Sequence, residues 1–232
     1  MREIIPNVFT FTGLIAGRVY ALRDNDGLTL VDTGSPLAGE KILAQLKAAG
    51  HRPTDVKRIL ITHAHPDHVG ALTLLQQATG AEVWCHALEK PVIQGEAPIA
   101  VRPGRLTMPA TMLKPVQVNR TLEDGDVLPV LGGLQVVATP GHAPGHISFW
   151  QADQRLVITG DVVFYLFNRM TLPFGFLTVD MDENKRSVQK LAALQPDVLL
   201  FGHGQPIIGQ AYLTLSALIQ RLGLGEWQQA RA

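Results

Sequence analysis

The apolar run Arg58-Ile59-Leu60-Ile61-Thr62 passes directly into His63-Ala64-His65-Pro66-Asp67-His68, which puts four metal-type ligands into six residues. Imidazole nitrogen and carboxylate oxygen together suit zinc, and also iron or manganese, whereas calcium and magnesium call for oxygen-only ligands. His63 and His65 are two apart, so at an extended strand end their rings point to the same side and grip one ion. Pro66 breaks the strand and turns the chain into a helix, which carries Asp67 and His68 away toward a second ion. A chain built around this hexapeptide must therefore end a buried strand beside a site that the rest of the fold completes.

Around the hexapeptide the sequence reads as strands followed by helices, twice over. Val8–Thr12, Val19–Leu22 and Leu28–Val31 alternate as short strands with Asp24-Asn25-Asp26-Gly27 as a turn. Ser35-Pro36 opens a helix with Ile42, Leu43 and Leu46 at helical spacing and Gly50 as its stop, and residues 69–80 form a second helix ending at Gly80. Glu82–Cys85 is a strand. The stretch 91–115 holds five prolines and no period, which marks an irregular insertion of the kind that covers active sites. Strands return at Val127–Val130, Leu134–Ala138, Ile147–Trp150 and Leu156–Thr159, with Gly132-Gly133 as a hairpin turn. An apolar loop at 164–177 precedes a helix over Glu183–Leu194, a strand at Val198–Phe201 and a closing helix from Ile207 to Leu222. The pattern predicts an α/β fold of two packed sheets flanked by helices, in a single domain over residues 1–232, with loops from both halves meeting at one edge.

Three strand ends in the second half supply the ligands that the hexapeptide lacks, each next to a glycine that lets the backbone turn: Thr139-Pro140-Gly141-His142, Thr159-Gly160-Asp161 and Phe201-Gly202-His203. His146 starts a strand close to His142 and reads as a residue making a local hydrogen bond behind the ligands. His51 and His86 read as surface or structural residues, and Cys85 as a small buried apolar one.

With Val31-Asp32-Thr33-Gly34, HAHPDH, TPGHAPGH, the Gly160-Asp161 pair and GHG in this order along nearly the whole chain, the sequence resembles the metallo-β-lactamase-fold hydrolases, in the branch of glyoxalase II and the acyl-homoserine lactonases. The resemblance implies a four-layer αββα sandwich of two mixed sheets. It also implies two divalent ions, with zinc first and iron or manganese as alternatives. His63, His65 and His142 would hold one ion, Asp67, His68 and His203 the other, and Asp161 would bridge them. Asp32 and His146 would support these ligands from behind. Water between two cations is acidified, and the resulting hydroxide attacks a carbonyl or phosphorus centre whose oxygen a metal polarises, while Asp67 steers a proton.

For substrate, Asp161 stands where zinc β-lactamases carry Cys or Ser, which points to the glyoxalase and lactonase branch. His65 stands where flavodiiron oxygen reductases carry Glu. Phe164, Tyr165 and Phe167 offer an apolar wall directly after Asp161, which suits a small-molecule substrate with an apolar group. Lactonases of this family have a Tyr three residues after the bridging Asp, whereas here that residue is Phe164 and Tyr165 follows it. The tail after His203 carries only Arg221 and Arg231, little for a glutathione substrate. Opening of a lactone or related ester is the expected reaction, with thioester hydrolysis next and a mononuclear iron persulfide dioxygenase as the alternative from another class.

Twenty basic against twenty acidic residues remove the electrostatic pull that nucleic acids require, so no nucleic-acid partner is expected. A single cysteine rules out an internal disulfide and a zinc finger. With neither a signal-peptide pattern nor an apolar stretch of roughly 20 residues, no membrane partner is expected and the expected location is the cytoplasm. The apolar segment 164–177 offers either a lid or a two-fold interface, and a homodimer is the expected assembly.

Overall fold

The period-two alternation of the strand residues sorts them into three apolar cores, and the three cores define four layers. In the computed structural model, which describes residues 1–102, 104 and 113–225, a seven-stranded sheet comprises β1 (Arg2–Ile5), β2 (Val8–Thr10), β3 (Tyr20–Asp24), β4 (Gly27–Val31), β5 (Val56–Leu60), β6 (Glu82–His86) and β7 (Arg120–Leu122), in that order across the sheet. The second sheet contains β8 (Val127–Leu128), β9 (Leu134–Ala138), β10 (Ile147–Gln151) and β11 (Leu156–Ile158); after the separate hairpin β12 (Phe164–Leu166) and β13 (Arg169–Thr171), it is completed by β14 (Val198–Leu200) and β15 (Ile207–Ile208). Both sheets are mixed. β1 to β4 pair antiparallel and β4 to β7 parallel, while in the second sheet only β11 and β14 run parallel.

Leu60 of β5 faces the second sheet and packs in the central core with Leu134, Val136, Ile147 and Phe149, whereas its neighbours Ile59 and Ile61 face the outer helices. On the other sheet Leu156 and Ile158 face inward, and Val157 between them faces out. The outer layers are α1 (Gly39–Ala48), α2 (Pro66–Val69), α3 (Leu72–Thr79) and α4 (Lys90–Ile93) on one side, and α5 (Met181–Ala193) and α6 (Ala211–Arg221) on the other. Ile42 and Leu46 of α1 and Val188 and Leu191 of α5 present one stripe each to their sheets. No helix among the described residues is long and apolar enough to cross a membrane.

Several elements differ from the sequence reading. The first helix opens at Gly39 rather than at Ser35-Pro36, because Ser35 instead closes a turn in which its carbonyl accepts the Ala38 N–H at 2.9 Å. Asp67 and His68 lie inside a helix, not before one, since α2 starts at Pro66 and ends before Gly70, whose N–H leaves the helix to bond the Gly34 carbonyl at 2.9 Å. Ile207 and Ile208 form an edge strand against β14 rather than the start of the closing helix. Within the irregular stretch, Val92 and Ile93 of α4 and then Ile99 and Leu113 are buried in the first outer core, as is Val116 just beyond it. Pro103, Pro109 and Arg231 lie outside the described residues. The apolar segment after Asp161 begins as a hairpin, with Phe167 and Asn168 both at positive φ in its two-residue turn.

Candidate metal centre

Strand polarity brings the ligand-bearing loops together. β9, β11 and β14 all run in one direction, so the loops that follow them, carrying His142, Asp161 and His203, leave the second sheet at the same edge. β4 and β5 are parallel, so Asp32 and His63 likewise leave the first sheet side by side. His65 is the last extended residue before α2, and the single turn of α2 then swings Asp67 and His68 inward.

The side chains converge in three overlapping groups, His63/His65/His142, His63/His68/Asp161 and Asp67/His68/His203, with ligand atoms within 4.8 Å of one another in each. His65 Nδ1 and His142 Nε2 are 2.9 Å apart, and His203 Nε2 lies 3.0 Å from Asp67 Oδ2. Asp161 faces both sides of the cluster: Oδ2 is 3.5 Å from His142 Nε2 and 3.4 Å from His203 Nε2, and Oδ1 is 3.3 Å from His68 Nε2. Gly202 makes this approach possible, because a Cβ there would stand 1.9 Å from Asp161 Oδ1.

A hydrogen-bond network behind the rings decides which nitrogen each offers. Asp32 adopts a left-handed conformation with φ 61°. Its Oδ1 accepts the Thr62 N–H at 2.8 Å, and its Oδ2 accepts both the Thr62 hydroxyl and His68 Nδ1–H at 2.8 Å. Having donated to Asp32, the Thr62 hydroxyl accepts from His63 Nδ1–H at 3.0 Å. One buried carboxylate thereby turns the Nε2 lone pairs of both His63 and His68 toward the cluster. Thr178 donates to the Phe174 carbonyl and so accepts from His142 Nδ1–H at 3.3 Å. His146 is not part of the cluster. Its Nε2 accepts the backbone N–H of Asp161 at 2.9 Å, and its Nδ1–H donates to Thr139 at 2.9 Å.

The electrostatics separate along the same lines. Burial, reinforced by the neighbouring His68, holds His63 well below the usual imidazole range, and burial also depresses His65 and His142 against the pull of Asp161. Burial brings His146 down to about 3, so it is a neutral acceptor. For His68 the burial penalty is outweighed by the Asp161 and Asp32 carboxylates, which raise it well above the usual value, and for His203 by bonds to Asp161 and Asp67, which raise it to about 9. Burial opposes ionisation of Asp67, but the His203 bond and the His68 charge hold it at about 2.

The donor set fits a divalent metal. The buried His63 Nε2, His68 Nε2 and Asp161 Oδ1 have no hydrogen-bond partner among the described residues; His68 and Asp161 are close without hydrogen-bond alignment. Buried polar atoms left without partners cost on the order of 1–3 kcal/mol each, a cost that a shared cation removes. An ion also displaces protons that the carboxylates hold on His68 and His203.

All seven ligand candidates thus meet, with Asp32 and His146 behind them, but the three aromatics of the expected apolar wall separate. Phe164 is buried with its ring centroid 4.6 Å from that of His203. Strand alternation sends Tyr165 to the opposite face of β12, where it stacks on Phe201 at 5.7 Å, and the turn places Phe167 in full solvent at the hairpin tip. Phe174, 5.8 Å from Phe164, extends the wall instead.

Glu89 is a residue that the sequence reading missed. Buried to 4% exposure, it accepts the Ala64 N–H and the Gly145 N–H, both at 2.8 Å, and so ties the hexapeptide loop to the loop carrying His142. Burial raises its carboxyl despite those two bonds. In Ala87-Leu88-Glu89-Lys90 it has no local signal and reads as a solvated charge.

Two mixed sheets between helices, with candidate ligands gathered at one sheet edge from four loops, describe the metallo-β-lactamase fold. The family model of the metallo-beta-lactamase superfamily matches residues 12–203, and the chain belongs to that superfamily. It is similar to a probable metallo-hydrolase of Bacillus subtilis, 32% identical over 216 residues that cover 83% of this chain and 81% of the relative. It is also similar to a hydroxyacylglutathione hydrolase of Haemophilus influenzae, 30% identical over 193 residues, covering 81% of this chain and 85% of the relative. Among solved structures, a subclass B3 metallo-beta-lactamase of Bradyrhizobium japonicum superimposes with a TM-score of 0.71 at 26% identity, over 95% of this chain and 91% of the other.

Proposed function

We propose that this chain, a metallo-hydrolase of the metallo-beta-lactamase superfamily, hydrolyses acyl thioesters at a dinuclear centre. His63, His65 and His142 would hold one ion and Asp67, His68 and His203 the second, with Asp161 between them and zinc favoured by the nitrogen-rich donor set. The ions, when bound, supply an acidified water and polarise the acyl carbonyl. Asp32 and His146 keep the ligand rings and Asp161 in place, and Phe164 with Phe174 shields the acyl group from solvent.

The observation that carries the reading is the fate of Tyr165. A lactone or ester releases an alkoxide, which needs a proton at the leaving oxygen, and a phenol beside the metals would stabilise it. Here the tyrosine ring stacks on Phe201 and Phe164 takes its place beside His203, so Tyr165 offers no phenol beside the metals. A thiol, with a pKa of about 8.5, leaves as thiolate without that help. The similarity to a hydroxyacylglutathione hydrolase supports the same order, with thioester before lactone.

The test is a panel of acyl thioesters, lactones, aryl esters and a β-lactam assayed on one metal-analysed sample. The thioesters are expected to exceed the lactones in kcat/KM by more than about tenfold, and the reverse order would restore the lactone reading. One iron per chain with oxygen consumption on a persulfide would replace hydrolysis with dioxygenase chemistry.

A further inference from the structure

A cleft of 360 Å³ opens beside His203, with Phe11, Leu14 and Leu166 as its apolar lining and Arg2 and Arg18 as its charges. Main chain, not side-chain contact, sets the place of Arg18. Its N–H donates to the Gly202 carbonyl at 2.8 Å, immediately before His203. The preceding Gly17, buried at φ +69°, lies so close to the metal loop that a Cβ would stand 1.9 Å from the Asp67 carbonyl oxygen. Any side chain at 17 would push this segment off α2, so the glycine holds the backbone before Arg18 against Asp67 while the Arg18 N–H ties it to the residue before His203.

The arginine is half-buried, and among the described residues its side chain makes no ion pair and no hydrogen bond. Arg58, Arg155 and Arg221, by contrast, are engaged with Asp26, with Asp197 and with the Met170 carbonyl. A guanidinium presents a rigid planar fork that pairs with a carboxylate in two parallel bonds, and partial burial strengthens such a pair. Leu166 follows Phe164 on the same face of β12 and lines the cleft with His203, the ring against which Phe164 packs.

We infer that Arg18 determines specificity by taking a carboxylate on the thiol half of the substrate. The apolar lining covers the short chain between that carboxylate and the sulfur, and Arg2 adds charge at the rim. The inference rests on the thioester reading above, and it narrows the substrate class to anionic thiols.

The experiment compares the butanoyl thioester of 3-mercaptopropionate with that of its N-methyl amide on the metal-loaded enzyme and on Arg18→Gln and Arg18→Lys. The wild-type enzyme is expected to prefer the carboxylate. In Arg18→Gln, kcat/KM for the anionic substrate falls about ten- to hundredfold through KM, while kcat and the neutral substrate change by less than about twofold. Arg18→Lys recovers part of the loss. No preference in the wild type, or equal losses on both substrates, overturns the inference. Calorimetric titration of 3-(methylthio)propionate into the metal-loaded proteins separates this from failure of the thioester reading. If neither thioester is turned over, that reading falls, and calorimetry decides the subsite: binding that Arg18→Gln loses supports it, and equal or absent binding in both proteins overturns it.

Discussion

The loop from Ile61 to Val69 and the hairpin after Asp161 lie side by side at one sheet edge, yet they are built in opposite ways. In the first, His63, His65 and His68 are buried, and Asp32, Thr62 and Glu89 fix the rings and the backbone through hydrogen bonds of 2.8 to 3.0 Å. In the second, three aromatic positions go to three environments: Phe164 beside His203, Tyr165 half-buried against Phe201 and Phe167 in solvent. The ligand candidates are held by a network in which each member constrains the next, whereas the aromatic wall beside them depends on which face of a short strand a side chain occupies. A one-residue change of register in β12 would exchange Phe164 for Tyr165 at the site, at the cost of the bond from the Tyr165 N–H to the His203 carbonyl at 2.9 Å.

The largest break in this contrast should come from Asp161, which touches both sides of the cluster. Asp161→Ala is expected to lower the bound metal by at least one ion per chain and kcat/KM by about a thousandfold or more, as measured by metal analysis and thioester turnover. Unchanged metal content would mean that Asp161 is not a ligand. Asp32→Asn comes next, because it disturbs the tautomers of His63 and His68 together; metal affinity and activity should each drop by about 10- to 100-fold. A change confined to thermal stability would reduce Asp32 to a turn residue.

Glu89→Gln replaces one acceptor oxygen with a donor facing a backbone N–H. It should cost about 1–3 kcal/mol in denaturant unfolding and weaken metal retention in chelator competition. Stability equal to wild type would show that the two loops hold each other without it. The smallest effects belong to the hairpin positions that face away: Tyr165→Phe and Phe167→Ser should leave thioester kcat/KM within about twofold, while Phe164→Ala raises KM for long acyl chains. Loss of activity in Tyr165→Phe would put the phenol back at the site and bring the lactone reading with it.

What the sequence made legible follows the same division. Strands β9, β10 and β11 read as short apolar runs because the second sheet is buried on both faces, and they were readable to within a residue or two. His63, His65, Asp67 and His68 were readable because four ligand types crowd one hexapeptide, and that hexapeptide made His142, Asp161 and His203 at glycine-flanked strand ends readable as its partners. Edge strands β1, β7 and β15 were not, since two to four residues of mixed burial show no period. The hairpin β12–β13 was hidden because apolar residues fill both faces and its turn, Phe167-Asn168, uses positive φ without a glycine. Glu89 and Arg18 act through contacts distant in sequence, with Gly145 and with Gly202, and no local pattern marks them.

Titrating metal-free protein with zinc while following thioester turnover in the same samples tests whether two ions serve thioester hydrolysis here. Activity that rises with zinc and reaches its plateau at two ions per chain is the expected result. A plateau at one ion, or activity restored only by iron and only with oxygen present, would contradict it.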